Sequence, residues 1–434
     1  MINPFKEAVA RELASHVPIE FKEILESIEI PPRSEMGDYA FPCFKAAKIL
    51  NKKPAQVAQE LIGKIANLSD FSVLKNLGPY INFVLKSESL ASFILNEIYK
   101  KGENFGIDNI GNGKCVVIDY SSPNIAKPFG IHHLRSTVIG NSLSKIYRAL
   151  GYEVVGINHL GDWGKQFGIL MASFMRWGNR DSLNKDPIGY LYDLYVRANN
   201  AIDQGDSKLN DEAAALFNAL ENGDAAARDL WQTFRDLSLA EFSGIYKRLD
   251  IEFQSYEGEA FYNQRITATM EKLKNSGLAV LSEGAWIVDL KSCGLGVAII
   301  QKADGTTIYL TRDICAAEYR MEKYKFHKLL YVVGQPQELH FKQLFKILDL
   351  LGHRWASCCE HVKFGYILGM SSRKGSLVRL EEVLDEARKR ALEKMKESPV
   401  GKPLDDEESV AEIIGRTAVV FNDLSSERIK DIEF

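Results

Sequence analysis

The sequence contains no run of about 18 or more apolar residues, so no transmembrane helix is expected. Its charge leans to neither sign: 54 Lys and Arg against 58 Asp and Glu give a formal net charge of −4. Such a balance does not advertise phosphate binding, although a local basic surface is compatible with it. Cysteine is sparse, six in 434 residues. Cys43, Cys115, Cys293, Cys315, Cys358 and Cys359 form no C-x-x-C pair and read as reduced thiols in a cytosolic compartment. The opening segment MINPFKEAVARELASHV has neither the apolar core nor the small-residue cleavage site of a signal peptide, and reads as an amphipathic helix. No internal repeat or low-complexity tract stands out. What is present is 46% hydrophobic residues, the composition of a globular protein. At roughly 150 residues per domain, the length allows two or three domains.

Three regions separate by pattern. Residues 1–108 mix helical periodicity, Phe5 to Val17 and Pro54 to Ile65, with strand-like runs such as Tyr80 to Val84. The turn-rich stretch from Gly102 to Gly113 is the best linker candidate. Its Gly113-Lys114 invites a P-loop reading that fails: Asp108 stands where the first glycine belongs, and no Ser or Thr follows Lys114.

From Lys114 an alternating β/α series begins. Cys115 to Asp119 suits a strand buried on both faces. Leu134 to Leu150 follows at helical spacing, with Gly151 at the end, and Val154 to Ile157 is the next strand. A second unit comprises Leu329 to Val333, a helix from Leu339 to Leu351, and a strand from His361 to Ile367. Between the units lies an insertion, about residues 186–310. Residues 186–250 look helical, and 285–310 look like a hairpin, Val297 to Gln301 against Thr307 to Leu310 around Asp304-Gly305. The fold class is therefore α/β: a Rossmann-like doubly wound parallel sheet with helical and hairpin insertions, plus an N-terminal α+β domain. In such sheets ligands sit beyond the carboxyl ends of the strands, which places the loops after Asp119 and Ile367 in the site.

The first loop reads Ser121-Ser122-Pro123-Asn124-Ile125-Ala126-Lys127-Pro128-Phe129-Gly130-Ile131-His132-His133 and enters a helix N-terminus. Free N–H groups and the dipole there favour an anion. Histidine and lysine donors suit ATP phosphates and the charge that builds on them.

The run SSPNIAKPFGIHHLRSTVIG, followed by NHLGDWGKQFG, closely resembles arginyl-tRNA synthetases of class I. The likeness continues in Tyr309-Leu310-Thr311-Arg312-Asp313, Gln335-Pro336-Gln337-Glu338-Leu339-His340 and Gly369-Met370-Ser371-Ser372-Arg373-Lys374-Gly375, and covers most of residues 78–434. The resemblance implies ATP binding by the "HIGH" signature, whose positions fall on Gly130, Ile131, His132 and His133. The first histidine is replaced by Gly130, and His132 stands where a glycine usually lets adenine approach. The mobile "KMSKS" loop corresponds to Gly369 through Lys374: Met370, Ser371 and Ser372 would contact ATP, and Arg373 and Lys374 would supply charge. Lys127 resembles the lysine that compensates in members of this kind. Asn124 and Gln337 would hold the α-amino and carboxylate groups of arginine. A guanidinium presents five donors in a rigid fork, so the implied arginine pocket needs buried carboxylates: Asp313 fits, with the Tyr309 ring one helical turn earlier, and Glu259 in GEAFY is the best second carboxylate. His159, Asp162 and Gln166 would shape the site or hold its loops together. In the N-terminal domain, Asn82 and Phe83 match a segment that contacts tRNA, an amide beside an aromatic suiting base-edge reading and stacking. Alternation of Ile81 and Phe83 also suits a core strand.

The implied reaction joins arginine to ATP as arginyl-adenylate, with Mg²⁺ accompanying the nucleotide, and transfers arginine to the 3′ end of tRNA(Arg). The partners expected are tRNA, L-arginine and ATP, with no membrane and a cytoplasmic monomer. The expected domains are 1–108 for the tRNA elbow, 109–390 for catalysis, and 391–434 as the helical start of an anticodon-binding domain. The family continues past this point, so the chain is expected to be a fragment lacking most of that domain. Two other readings stay open: a shortened paralogue passing arginyl-adenylate to a non-tRNA acceptor, and an impaired tRNA-binding module, suggested by Gly130, His132 and Gly369.

Overall fold

The strand Cys115–Asp119 shows why the sheet lies at the centre. Its residues Val116 and Ile118 enter one hydrophobic core and Val117 enters another, each fully buried, as alternation in a doubly covered strand requires. Lys328–Tyr331 behaves alike: Leu330 joins the first core, while Leu329 and Tyr331 join the second. The computed structural model describes residues 3–65, 68–368, 378–397 and 406–433. Contacts divide the chain into units of residues 1–108 and 109–434.

In the larger unit four parallel strands pair in the order Cys359–His361, Lys328–Tyr331, Cys115–Asp119, Glu153–Ile157. The chain leaves Cys115–Asp119 through helix Leu134–Ala149 to one side, and returns on the other side with Lys328–Tyr331. The carboxyl ends of these two central strands therefore form the switch point of a doubly wound sheet. Helix Leu134–Ala149 packs on one face through Leu134, Val138 and Ile139; Tyr309–Tyr324 and Glu338–Leu350 cover the other through Ile314, Ala317, Leu344 and Ile347.

Three helices of the insertion begin alike. Asp186, Asp206 and Asp224 each accept a backbone hydrogen bond three residues on, from Gly189, Leu209 and Ala227 at 3.1, 3.0 and 2.9 Å. Each cap is worth about 1 kcal/mol and starts Pro187–Asp203, Ser207–Glu221 and Ala225–Leu249.

Two expected strands come out differently. Thr307 to Leu310 is a single bridge to Gln301, because the helix Tyr309–Tyr324 has already begun. Buried Leu310, Ile314 and Ala317 at helical spacing outweigh the short alternating run. Val297–Gln301 pairs instead with Ala285–Asp289, which also pairs with Ala279–Ser282. The stretch His361 to Ile367 breaks into Cys359–His361 and Ile367–Leu368. Between them Gly365 N–H donates to Arg428 O at 3.0 Å, and a Cβ at Gly365 would lie 2.3 Å from the Lys430 backbone. Ile367–Leu368 pairs with Ile432–Glu433. Helix Leu380–Glu397 runs through residue 390, where a domain boundary is expected, and packs on Glu407–Leu424.

The smaller unit has an antiparallel sheet ordered Tyr39–Pro42, Tyr80–Leu85, Phe71–Leu77. Helices Pro4–Ala14 and Pro54–Ile62 share its core through Val9, Leu13, Val57 and Leu61. No helix among the described residues is long and apolar enough to cross a membrane.

Candidate active site

The loop leaving Cys115–Asp119 is wound tightly. Ser121, Ser122 and Ala126 all take positive φ, 70°, 49° and 58°, a conformation that costs L residues energy and persists only where the surroundings enforce it. Here they do. Ser121 N–H donates to Ser136 Oγ at 2.9 Å, and Ser136 Oγ donates to Val332 O at 2.7 Å, tying the two central strand ends together. Ala126 N–H donates to Ser238 Oγ at 2.8 Å, and Ser121 Oγ meets the Tyr246 hydroxyl at 2.8 Å. The insertion helix Ala225–Leu249 thus braces the loop.

A second crossing fixes Asn124. Gly161 N–H donates to Pro123 O at 3.1 Å and Ile125 N–H to Gly161 O at 3.2 Å. A Cβ on Gly161 would sit 2.1 Å from Asn124 Oδ1, so only glycine permits this approach. Asp162 accepts Ala260 N–H at 2.8 Å and Arg235 Nε–H at 3.1 Å, which sets the segment carrying Glu259. Gly130 bridges Arg379, and Ile131 N–H donates to Val378 O at 3.0 Å. The segment after residue 377 therefore lies against the loop.

These elements enclose a cavity of about 590 Å³ at the switch point. Asn124, His132, His133, Glu259, Tyr309, Asp313 and Gln337 all line it. Lys127 does not; its ammonium lies 5.2 Å from the Tyr195 ring centroid, and burial lowers its pKa. Gly130 does not line it either; it directly precedes the turn Ile131–His133, which carries both histidines. Met370, Ser371, Ser372, Arg373 and Lys374 lie outside the described residues. His159 lines the cavity with Nδ1 at 3.1 Å from Glu257 O, whereas Asp162 acts from behind the wall and Gln166 is not part of it.

The carboxylates differ in environment. His340 Nε2 lies 2.6 Å from Asp313 Oδ2. Glu259 is buried with Oε2 unpartnered; burial, opposed by Arg312 and reinforced by Asp313 and Asp162, pushes its carboxyl up to about 8. A cation entering the cavity would relieve this cost. Tyr309 opens the helix that holds Asp313 and is 60% exposed, presenting its ring. His133 Nδ1 is buried and unpartnered; desolvation first, then His132, holds the ring well below the ordinary histidine value. At neutral pH it is an uncharged donor and acceptor. His132 is exposed, its ring 3.9 Å from that of His133.

Asp119 and His340 are polar lining residues that sequence reasoning misses. Asp119 ends the first strand, accepts Ser122 Oγ–H at 2.9 Å, and pairs with buried Arg320 at 2.8 Å. His340 stands inside the QPQELH run, where the motif itself marks it. In the smaller unit, Asn82 and Phe83 are 3% and 0% exposed. The Phe83 ring packs on Phe71, 5.8 Å between centroids. It is a core residue and presents no face for stacking, because it falls on the inward register of Tyr80–Leu85.

The comparisons with known proteins agree over the whole chain. Residues 95–434 match the family described as tRNA synthetases class I (R), catalytic domain, and residues 3–85 match the arginyl tRNA synthetase N terminal domain. The arginine–tRNA ligase of Clostridium beijerinckii is 46% identical over 434 residues, 99% of this chain and 76% of that protein. The arginine–tRNA ligase of Halothermothrix orenii is 46% identical over 437 residues, with the same two shares. Among solved structures, arginyl-tRNA synthetase from Plasmodium falciparum superposes with a TM-score of 0.75 at 22% identity, covering 99% of this chain and 74% of that one. The Thermus thermophilus arginyl-tRNA synthetase gives 0.74 at 21%, covering 99% and 76%. These two likenesses bear on the fold alone.

Proposed function

The chain belongs to the class I arginyl-tRNA synthetases, and from that premise we propose how its own residues carry out arginine–tRNA ligation. One observation carries the reading: a single cavity at the switch point holds the buried Glu259 with its unpartnered Oε2, the Asp313 carboxylate and the Tyr309 ring, beside the histidines of a helix N-terminus. Two carboxylates answer the guanidinium fork, and the ring packs on the aliphatic stem. Asn124 and Gln337 hold the α-amino and carboxylate ends.

ATP binds along Gly130, His132 and His133, with Met370, Ser371 and Ser372 completing its contacts. The arginine carboxylate attacks the α-phosphorus; the bond to the β-phosphate oxygen breaks, leaving arginyl-adenylate and pyrophosphate. Neutral His133 donates to the developing phosphate charge, and Lys127, Arg373 and Lys374 supply positive charge. The 3′-terminal ribose hydroxyl of tRNA then attacks the arginyl carbonyl and AMP departs. No protein nucleophile is needed, since positioning and electrostatics suffice. Among the described residues no group of three or more His, Cys, Asp or Glu side chains is placed to hold a metal. Mg²⁺ is assigned to the nucleotide's own phosphates, its common mode.

The smaller unit is proposed to meet the tRNA outer corner, with buried Asn82 and Phe83 holding its strand in shape. A cytoplasmic monomer remains the working form. Nothing in the comparisons supports the paralogue or the inactive-module reading. Arginine-dependent ATP–pyrophosphate exchange in the presence of tRNA(Arg), followed by arginylation of that tRNA, tests the assignment; no exchange with or without tRNA would overturn it.

A further inference from the structure

Ligation as proposed takes a proton from a nucleophile in only one of its two steps. The arginine carboxylate attacks ATP already ionised and needs no base. The ribose hydroxyl must lose its proton as it attacks the arginyl carbonyl. A base for that step has to line the substrate cavity and turn an unprotonated atom into it.

Most of the carboxylates and imidazoles on the cavity wall are already committed. Asp119 accepts Ser122 Oγ–H through Oδ1 and pairs with buried Arg320 through Oδ2. Asp313 Oδ2 and His340 Nε2 hold each other at 2.6 Å. Glu259, its carboxyl pushed up to about 8 by burial, keeps a proton near neutral pH until a guanidinium arrives. Desolvation holds the His133 ring well below the ordinary histidine value, which makes it a weak base. Burial, and then Lys127, lowers His132 too, and no hydrogen bond among the described residues fixes its tautomer.

His159 differs from all of these. Its Nδ1 lies 3.1 Å from Glu257 O. A carbonyl only accepts, so Nδ1 carries the proton and the neutral ring keeps its lone pair on Nε2. Among the described residues Nε2 has no hydrogen-bond partner, and the half-buried side chain lines the cavity. The carbonyl that sets this tautomer is itself held. Asn158 N–H donates to Ser255 O at 2.9 Å and Glu259 N–H to Leu160 O at 3.0 Å, so the two segments run side by side with Glu257 between the bonds. The Glu257 carboxylate is anchored by the Tyr319 hydroxyl at 2.9 Å and Lys323 Nζ at 2.6 Å. The Tyr262 ring backs the imidazole, 5.6 Å between centroids. Leu160 and Gly161, the next two residues, hold the Glu259 segment and the Asn124 loop. His159 thus stands on the segment that seats the residues proposed for both ends of arginine.

We propose that His159 is the general base of the transfer step. Its Nε2 takes the proton of the terminal ribose hydroxyl as that oxygen bonds to the arginyl carbonyl carbon. The bond from this carbon to the AMP phosphate oxygen breaks, its electron pair leaves on AMP, and the imidazolium passes its proton to water. The assignment rests on the arginine–tRNA ligase reading and deepens it.

The test separates the two steps. His159→Asn keeps an N–H donor for Glu257 O but has no basic atom. Pyrophosphate exchange with ATP, arginine and tRNA(Arg) reads adenylate formation; single-turnover arginylation, with enzyme in excess over tRNA, reads transfer. The variant is expected to retain exchange while transfer slows by about 10²–10⁴-fold, the range for a positioned general base. Imidazole added to His159→Ala should return part of the transfer rate and leave exchange unchanged. Unaltered transfer in His159→Asn would give the proton to the adenylate's own phosphate and overturn the assignment. Exchange and transfer falling together, or transfer that imidazole fails to restore in His159→Ala, would overturn it too. The unaltered chain is assayed alongside: absence of exchange there strikes the ligase reading, whereas normal arginylation there and in His159→Asn strikes the role of His159 alone.

Discussion

His340 Nε2 lies 2.6 Å from Asp313 Oδ2, so one of the two carboxylates proposed for the guanidinium is aimed by a residue from a different helix. Glu259, by contrast, has an unpartnered oxygen and a raised pKa. The pocket thus pairs a pre-positioned carboxylate with one that ionises fully only when a cation arrives.

Removing the first should cost the most. Asp313→Ala is expected to raise the arginine KM by about 10–100-fold, the worth of one charge-assisted contact, with little change in the ATP KM. His340→Ala leaves the carboxylate but frees its rotamer, so a smaller rise, about 2–10-fold, is expected. Pyrophosphate exchange at varied arginine, with tRNA present, reads both; an unchanged arginine KM in Asp313→Ala refutes the pocket assignment.

Glu259 makes binding depend on pH. Its carboxyl titrates near 8 in the folded chain, against 4.5 for an ordinary glutamate. Between those values the folded state holds a proton that the unfolded state has lost. Its contribution to stability is therefore greatest below about 4.5 and lost as pH rises toward 8. A bound guanidinium ionises the group, so arginine binding near pH 7 should release close to one proton, and arginine affinity should climb from pH 6 to 8. Calorimetry in buffers of different ionisation enthalpy measures the release. Glu259→Gln should abolish it and flatten the affinity profile; release that persists in that variant would locate the proton elsewhere.

The approach of Gly161 to Asn124 can be probed without touching a charged group. Gly161→Ala puts a methyl 2.1 Å from Asn124 Oδ1 and 3.4 Å from its Cα. The amide must swing away or the loop must shift, at a cost of about 1–3 kcal/mol. A raised arginine KM is expected together with a modestly lowered Tm. A lowered Tm with an unchanged KM would show that Asn124 does not touch the substrate.

Much of this site is legible in the sequence because its parts are contiguous. Asn124 to His133 form one strand-to-helix loop, and Tyr309 and Asp313 share one helix turn. Periodicity also yields the first βαβ unit and, in the second, the strand from Leu329 and its helix, since strands buried on both faces have distinctive apolar runs. The last strand of the second unit, Cys359–His361, is only partly buried and falls ahead of the stretch expected for it. Periodicity misleads where the run is short: Thr307 to Leu310 alternates like a strand, but buried Leu310, Ile314 and Ala317 at helical spacing decide for a helix. It is silent on pairings between distant segments. Ser238 reaches Ala126 across 112 residues, and no local pattern announces that a helix of the insertion will hold the loop proposed for ATP in its strained form. Phe83 shows the opposite limit: one residue type suits either stacking or burial, and only strand register decides.

The longest-range of these pairings gives the sharpest stability test. Arg135 follows the His132-His133 pair and is 1% exposed; its Nε lies 3.2 Å from Asp423 Oδ2, and Asp423 is 2% exposed. The same guanidinium donates to Gly365 O and Lys430 O, both at 2.8 Å. It therefore ties the helix Leu134–Ala149 to both chain segments that lead into the Ile367–Leu368 and Ile432–Glu433 pairing. Arg135→Met would leave Asp423 buried without a cation and orphan two carbonyls, which should cost about 3–5 kcal/mol. Arg135→Met combined with Asp423→Leu removes the stranded charge as well and should recover part of that loss, because a buried pair replaced by apolar groups is often near neutral. Urea unfolding of the two variants measures the difference. If the double variant is no more stable than the single one, the loss comes from the two carbonyls, and the ion pair contributes little to holding this helix in place.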